Sequence, residues 1–184
     1  MRANATAIDG VVMIEPKVFG DARGFFLESF NEDAFAAAIG QHVAFVQDNH
    51  SRSTRGVLRG LHWQEGPHAQ GKLVRVTSGV VFDVAVDLRR ASPTFGRWTG
   101  AELSGDNHRQ MWIPAGLAHG FLVLGESADF LYKTTAYYAP AAERTMRWDD
   151  AGLAIAWPDI GMAPIVSAKD AAGISFAEFS GRGR

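Results

Sequence analysis

Two neighbouring segments hold residue types that could move a proton and stabilise the negative charge that this creates. The first is residues 59–64 (RGLHWQ), and the second is residues 71–76 (GKLVRV). Histidine exchanges a proton near neutral pH, and a lysine on strand-like sequence can stabilise an oxyanion. The pairing of His62 with Lys72 therefore suggests carbanion or enolate chemistry.

Strand alternation separates the two basic residues of the second segment. In a strand, Lys72 lies on the face opposite to Arg75, because successive side chains point to opposite sides. The two residues therefore cannot both serve one pocket. We favour Lys72, which sits among apolar residues.

The next run, residues 80–88 (VVFDVAVDL), places Asp83 and Asp87 on one face. On a solvent face these carboxylates would be ordinary surface charges. On a face that lines a barrel interior, Asp83 could orient a histidine or pair with a lysine. The pattern alone leaves both interpretations open.

Composition excludes several classes of function. The 184 residues are 47% hydrophobic, which fits a single domain over residues 1–184. A net charge of -2 gives no overall attraction to nucleic acid or an anionic membrane, so an anion site must be a local cluster of bases. The absence of cysteine excludes disulfides, thiolate zinc sites and cysteine nucleophiles. Residues 1–10 lack a signal-peptide core, and no run approaches the roughly 18 apolar residues of a membrane span, so we expect a soluble, cytoplasmic protein.

Strand signals dominate the chain, and the expected helices are short and peripheral. Apolar runs separated by Gly, Pro, Asn and Ser occur at residues 43–46, 73–77, 80–88, 121–124 and 130–135. One helix is expected from about Glu32 to Ile39, with Asn31 as N-cap and Gly40 after its end, and another begins near Ser167. Sandwich, barrel and jelly roll all fit this pattern. We favour an all-β jelly roll of antiparallel strands with an internal pocket.

Residues 113–121 (IPAGLAHGF) resemble the Pro-x-Gly-x-x-His element of the cupin superfamily, whose fold is a small jelly roll. Metal-binding cupins supply an earlier His-x-His followed by a glutamate, whereas residues 61–64 (LHWQ) contain one histidine. His68 lies six residues on, and Glu65 is too close to His62 for that spacing. With only His62 and His119 placed, three or four ligands are hard to assemble, so we expect no metal.

Several ordered motifs together resemble the dTDP-4-dehydrorhamnose 3,5-epimerases, the cofactor-independent cupins of dTDP-L-rhamnose synthesis. The resemblance covers nearly the whole chain, and a set of motifs in order is far more specific than any one of them. The matching segments are residues 23–28 (RGFFLE), 47–51 (QDNHS), 56–64, 71–76, 83–89, 114–121, 131–135 (LYKTT), 137–140 (YYAP) and 167–170 (SAKD).

The resemblance implies a substrate, dTDP-4-dehydro-6-deoxy-D-glucose, whose C4 ketone acidifies the hydrogens at C3 and C5. Abstracting either hydrogen gives an enolate, and returning a proton to the opposite face inverts the centre, so a base and an acid are needed. His62 matches the family's base and Tyr132 its acid. Lys72 would stabilise charge on the C4 oxygen, and Asp170 would orient the base. No cofactor is implied.

The remaining matched residues suit a nucleotide sugar. Arg59 and His119 correspond to substrate or phosphate contacts, and Tyr138 to a residue that stacks on thymine. In the family, Arg23, Phe26 and Glu28 help to complete the site of a neighbouring subunit, which implies a homodimer. The other matched substrate-binding residues are Gln47, Asn49, Glu143 and Lys169.

Alternatives remain for the carboxylates and for the reaction. Ser167 and Asp170 are spaced as in a capping box, so Asp170 could simply start the last helix, and Asp83 is an alternative partner for His62 or Lys72. Epimerases that act on C3 or C5 alone would share the same base, acid and lysine. A sugar 3,4-ketoisomerase, a metal-dependent cupin and a non-catalytic nucleotide-sugar-binding cupin are the other hypotheses.

Overall fold

The computed structural model describes residues 1–181, which form a mainly antiparallel β structure with short helices at its periphery. The strands are β1 (Arg2–Ala5), β2 (Val12–Glu15), β3 (Val18–Asp21), β4 (Gly24–Leu27), β5 (Gln47–Thr54), β6 (Leu58–Gln64), β7 (Lys72–Asp87), β8 (Trp98–Ser104), β9 (Gln110–Ile113), β10 (Leu117–Thr134) and β11 (Glu143–Thr145). The helices are α1 (Glu32–Ile39), α2 (Ala168–Ala171) and α3 (Phe176–Gly181), with single 3-10 turns at Gly66–His68 and Pro140–Ala142. The all-β class is confirmed. Within the described residues, no helix is long and apolar enough to cross a bilayer.

Nine strands join in one sheet that is organised around two long members, β7 and β10. The hydrogen-bonded order is β1-β2-β9-β7-β10-β6-β11, with β5 added to β10 and β8 added to β7. Strands β3 and β4 form a separate hairpin. The apolar runs predicted at 73–77 and 80–88 belong mainly to the single strand β7, and those at 121–124 and 130–135 mainly to β10.

An irregularity in the middle of these two strands decides which side chains face the interior. The β7–β10 ladder shifts register between Asp129 and Phe130 and again between Val123 and Ala128. Before these shifts the even-numbered residues of β7 face the interior, and after them the odd-numbered residues do. The interior apolar cluster accordingly contains Val74, Val76, Val81 and Ala85. By the same alternation, Lys72 and Asp83 face one interior although an odd number of positions separates them.

The predicted helix α1 and its capping residues are confirmed, whereas one strand prediction is wrong. Asn31 accepts a hydrogen bond from the Ala34 backbone N–H at 3.0 Å, and Gly40 ends α1 in the left-handed conformation. Residues 43–46 were expected to form a strand but have no strand ladder. Phe45 packs instead against α1 and against Trp112. Packing against this apolar cluster partly buries Val43 and Phe45, whereas Ala44 and Val46 are exposed.

Gly79 sits at the register shift, and we expect Gly79→Ala to destabilise the fold strongly. Its φ is +77°, and a Cβ there would lie 1.8 Å from the backbone oxygen of Ser127. The matched control is Gly40→Ala, because Gly40 has φ +76° and nothing within 4 Å of its Cβ position. We expect about 1 kcal/mol lost for Gly40→Ala and more than about 3 kcal/mol for Gly79→Ala, from urea unfolding. Equal losses for the two variants would contradict the steric argument.

Candidate active site

The four residues expected to perform the chemistry line one cavity of about 580 Å³. His62 comes from β6, Lys72 from the start of β7, Tyr132 from the end of β10 and Asp170 from α2. Arg75, on the other face of β7, lines a different cavity of about 440 Å³. Strand alternation therefore separated Lys72 from Arg75 as predicted.

His62 and Asp170 form a carboxylate–imidazole pair. The distance from His62 Nε2 to Asp170 Oδ1 is 2.5 Å, and the Asp170 side chain is buried while that of His62 is 24% exposed. Burial alone would raise the pKa of Asp170, but hydrogen bonds from His62, Ser167 and the Gly60 backbone lower it below its ordinary value. Because Nε2 faces this carboxylate, the neutral ring carries its hydrogen on Nε2 and keeps a lone pair on Nδ1.

The helix-capping interpretation of Asp170 describes its backbone, not its carboxylate. Ser167 Oγ accepts a hydrogen bond from the Asp170 backbone N–H at 3.1 Å, so Ser167 does begin α2 as predicted. The Asp170 side chain leaves the helix and reaches His62. A residue can thus start a helix and serve a site, and here α2 is the element that aims the carboxylate.

Lys72 is buried in the cavity wall close to His62. Its Nζ donates to the His62 backbone oxygen at 3.4 Å. Burial lowers the pKa of Lys72 to about 8, against the opposing charges of Asp83 and Glu143. The ammonium is therefore mostly charged at neutral pH, with little water around it, and a preorganised cation of this kind stabilises an oxyanion well.

Tyr132 is half-buried and keeps its phenolic proton. Burial, followed by the charge of Glu143, raises its pKa above the ordinary value for tyrosine. The ring lies 6.1 Å from that of Phe130, and its backbone faces Asn49 on β5. A phenol in this setting can donate a proton to a strong base such as an enolate.

His119 lies in the cavity wall, where it pairs with Asp83. Its Nε2 is 2.9 Å from Asp83 Oδ2, and its ring stacks on Phe130 with centroids 5.7 Å apart. The face that carries Asp83 is therefore interior, and Asp83 contacts His119 instead of His62. Asp87, on the same face, is also buried and bonds Arg89 outside the cavity.

A hydrogen-bonded rim closes one side of the cavity. Glu143 accepts hydrogen bonds from Tyr138 Oη and Lys169 Nζ, both at 3.0 Å. Gln47 bonds Asn49 at 2.8 Å and accepts from the Tyr138 backbone N–H at 3.0 Å. Among the predicted substrate-binding residues, those that line the cavity itself are Asn49, Arg59, His119, Glu143 and Lys169.

Sequence reasoning missed Gln64, which holds in place the rim loop, residues 137–139. Its side chain accepts from the Ala139 backbone N–H at 2.8 Å and donates to the carbonyl oxygens of His68 and Tyr137. Its position at the end of the apolar strand β6 was the available signal, because a buried amide there needs several partners. Ser51 also lines the cavity and was not singled out.

The structure does not bring Arg23, Phe26 or Glu28 into the cavity of their own chain. Arg23 pairs with Asp21 in the β3–β4 hairpin, and Glu28 accepts from Asn31 at 3.4 Å. The Phe26 side chain is largely exposed, at 69%. Residues 1–181 contain no group of three His, Asp or Glu side chains placed as metal ligands, and the expectation of a metal-free site stays a prediction.

Comparison with known proteins identifies the family. The family model described as dTDP-4-dehydrorhamnose 3,5-epimerase matches residues 5–178. The chain belongs to this family. It is 62% identical over 178 residues to the dTDP-4-dehydrorhamnose 3,5-epimerase of Pseudomonas aeruginosa, with 97% of each chain covered. The dTDP-4-dehydrorhamnose 3,5-epimerase family consists of isomerases that act on carbohydrates, so the chain is an enzyme of that class.

Solved structures support the cupin jelly roll that was expected for this epimerase. A dTDP-6-deoxy-D-glucose-3,5-epimerase from Legionella pneumophila, in complex with dTDP-4-keto-L-rhamnose, is 52% identical with a TM-score of 0.91, covering 97% of this chain and 96% of that one. A 3'-monoepimerase from Streptomyces bikiniensis, in complex with dTDP-quinovose, is 35% identical with a TM-score of 0.92, covering 100% and 91%. The fold alone therefore does not separate double from single epimerases.

Proposed function

We propose that this epimerase inverts C3 and C5 of dTDP-4-dehydro-6-deoxy-D-glucose to give dTDP-4-dehydro-L-rhamnose, in dTDP-L-rhamnose biosynthesis. The observation that carries the proposal is the His62–Asp170 pair, which shares one cavity with Lys72 and Tyr132. The ligand of the Legionella pneumophila relative and the name of the Pseudomonas aeruginosa relative support the choice of substrate.

The proposed reaction begins when His62 Nδ1 takes the proton from C3 or C5. The electron pair of the broken C–H bond moves to the C4 oxygen, where Lys72 stabilises the negative charge. Asp170 holds the ring and stabilises the imidazolium that forms. Tyr132 then delivers its proton to the opposite face of the same carbon. Before the second inversion, His62 returns its proton to solvent and Tyr132 recovers one.

The nucleotide is held by local charge and by an aromatic face, without any cofactor. Arg59 and Lys169 line the cavity and provide positive charge for two phosphates, although the whole chain carries a net charge of -2. His119 adds a contact from the cavity wall. Tyr138, fixed by Glu143 at the rim and more than half exposed, stacks on thymine.

The working form that we propose is a cytoplasmic homodimer of a single domain spanning residues 1–184, of which 182–184 lie outside the described residues. The β3–β4 hairpin exposes Phe25 and Phe26 by more than 60% each, and a second copy of the chain would cover them. Arg23, Phe26 and Glu28 would then reach the neighbouring cavity. Light scattering reads the mass directly, and Phe26→Ser should shift it towards the monomer.

Solvent-hydrogen exchange tests the proposed function. We expect purified protein in D2O, given dTDP-4-dehydro-6-deoxy-D-glucose and no reductase, to place deuterium at both C3 and C5, as followed by NMR. Label at one carbon only would redirect the proposal to a single-centre epimerase. Tight binding without exchange at either carbon would indicate a nucleotide-sugar-binding cupin without turnover.

A further inference from the structure

A second carboxylate–imidazole pair lies next to the one that the proposed mechanism uses. Asp83 and His119 are both buried, with 2.9 Å between Oδ2 and Nε2. His119 on β10 is the cross-strand partner of His62 on β6. Within the pair, His119 therefore lies on the strand next to the base, and Asp83 lies one strand further away, on β7.

The Asp83 carboxylate is unusual because it is completely buried and only half satisfied. Its Oδ1 is the one buried side-chain polar atom of residues 1–181 that has no hydrogen-bond partner. Removing a carboxylate from water costs free energy, and a neutral side chain of similar shape would be less costly there. The negative charge of Asp83 therefore indicates a role that a neutral side chain could not perform.

Two basic groups are placed to use that charge. His119 bonds Asp83 directly, and Lys72 lies on the same interior face of β7 because of the register shift near Gly79. Both basic side chains line the cavity, whereas Asp83 lies behind them. The order from the cavity inwards is thus two basic groups and then the carboxylate, which bonds His119 and interacts with Lys72 through its charge.

We propose that Asp83 is a positioning residue for the epimerisation, which fixes the His119 ring in the cavity wall and holds the Lys72 ammonium in its charged form. This inference rests on the proposed function, where Lys72 stabilises the enolate oxygen. Asp83 acts through its two neighbours and does not itself touch the sugar.

The charges around Lys72 fix the direction in which its pKa should change when Asp83 is replaced. Burial lowers the pKa of Lys72 to about 8, and Asp83 is the largest charge that opposes this shift. Burial also raises the pKa of Asp83 itself, against the hydrogen bond and charge of His119 and the charge of Lys72. A cation that must stay protonated loses its effect as pH rises through its pKa. The other titratable groups around the Lys72 side chain are Glu143, Lys169, His62, Asp170 and Tyr132.

The test is the pH dependence of kcat for Asp83→Asn, which keeps the shape and can still accept from His119. Loss of the Asp83 charge should move the basic limb of the kcat profile to lower pH by about one unit. This is the effect of a neighbouring charge on a buried group. From a starting pKa of about 8, the activity should fall about two-fold at pH 7 and about ten-fold at pH 9. A purely structural role would lower activity equally at every pH.

Asp87→Asn is the matched control. Asp87 is a buried carboxylate on the same face of the same strand, but it bonds Arg89, Ser92 and Thr94 outside the cavity. Asp87→Asn should lower the free energy of unfolding and leave the basic limb of the kcat profile at its wild-type pH. A limb that moves equally in both variants, or in neither, would overturn the inference.

A measurement on the unchanged protein covers the case in which Asp83→Asn does not fold. Carbon-13 NMR of the Asp83 carboxyl between about pH 6 and pH 9 reads its ionisation directly. An ionised Asp83 throughout this range supports the inference, and a protonated one overturns it. Failure of the inference is distinct from failure of the proposed function, because the latter appears as absent deuterium exchange in the wild-type enzyme.

Discussion

Replacing His62 with alanine should reduce deuterium exchange at both C3 and C5 by about 10²–10⁴-fold, the usual contribution of a general base. The loss should affect both carbons equally, because one imidazole, backed by Asp170 at 2.5 Å, serves both abstractions in the proposed mechanism. Binding of dTDP should change little, since the nucleotide contacts lie on other residues. Added imidazole should restore part of the exchange by filling the space that the ring vacates.

His42→Ala is the control for this experiment. His42 is an exposed histidine in the connection after α1 and does not line the cavity. Its variant should exchange deuterium at the wild-type rate. If His62→Ala binds dTDP and still exchanges both hydrogens at a rate near that of the wild type, His62 is not the base.

Replacing Tyr132 with phenylalanine should separate exchange from inversion. Without the phenol, an enolate can still form at His62 and regain deuterium from the same face, because the His62 side chain is 24% exposed and can equilibrate with solvent. Product formation should therefore fall by about 10²–10⁴-fold, while exchange with retained configuration falls far less. NMR of one incubation reads both quantities, as deuterium content and as the ratio of epimers.

The matched control is Tyr137→Phe, which removes the hydroxyl of a largely exposed tyrosine in the rim loop. It should leave both quantities near their wild-type values. Equal loss of exchange and of product in Tyr132→Phe would place the phenol in enolate formation instead of reprotonation. Unchanged product formation would mean that another group is the acid.

Features with local causes could be predicted from the sequence, and those with distant causes could not. Asn31 and Gly40 mark the ends of α1 because each contact spans only a few residues. By contrast, 108 positions separate His62 from Asp170, and no periodicity relates them. The resemblance to a family supplied that pairing, and the structure supplied its distance.

The interior of the sheet shows the same limit. Alternation ordered each half of β7 correctly, since Lys72 and Arg75 lie on opposite faces. It could not relate Lys72 to Asp83, because the register shift between them depends on how β10 pairs. The strand predicted at residues 43–46 is wrong for a related reason, since Val43 and Phe45 are partly buried in an apolar cluster without forming a strand ladder.

The short helix α2 has a consequence for how the activity responds to partial unfolding. Four residues have too few internal hydrogen bonds to be stable alone, so the position of Asp170 depends on how its segment docks. That docking includes backbone contacts of Ile165 and Ile174 and the packing of Phe179 in α3 against Trp63. The free energy that holds the partner of the base is therefore a local quantity, distinct from the stability of the sheet. Local unfolding of this segment would abolish the activity while the sheet stayed folded.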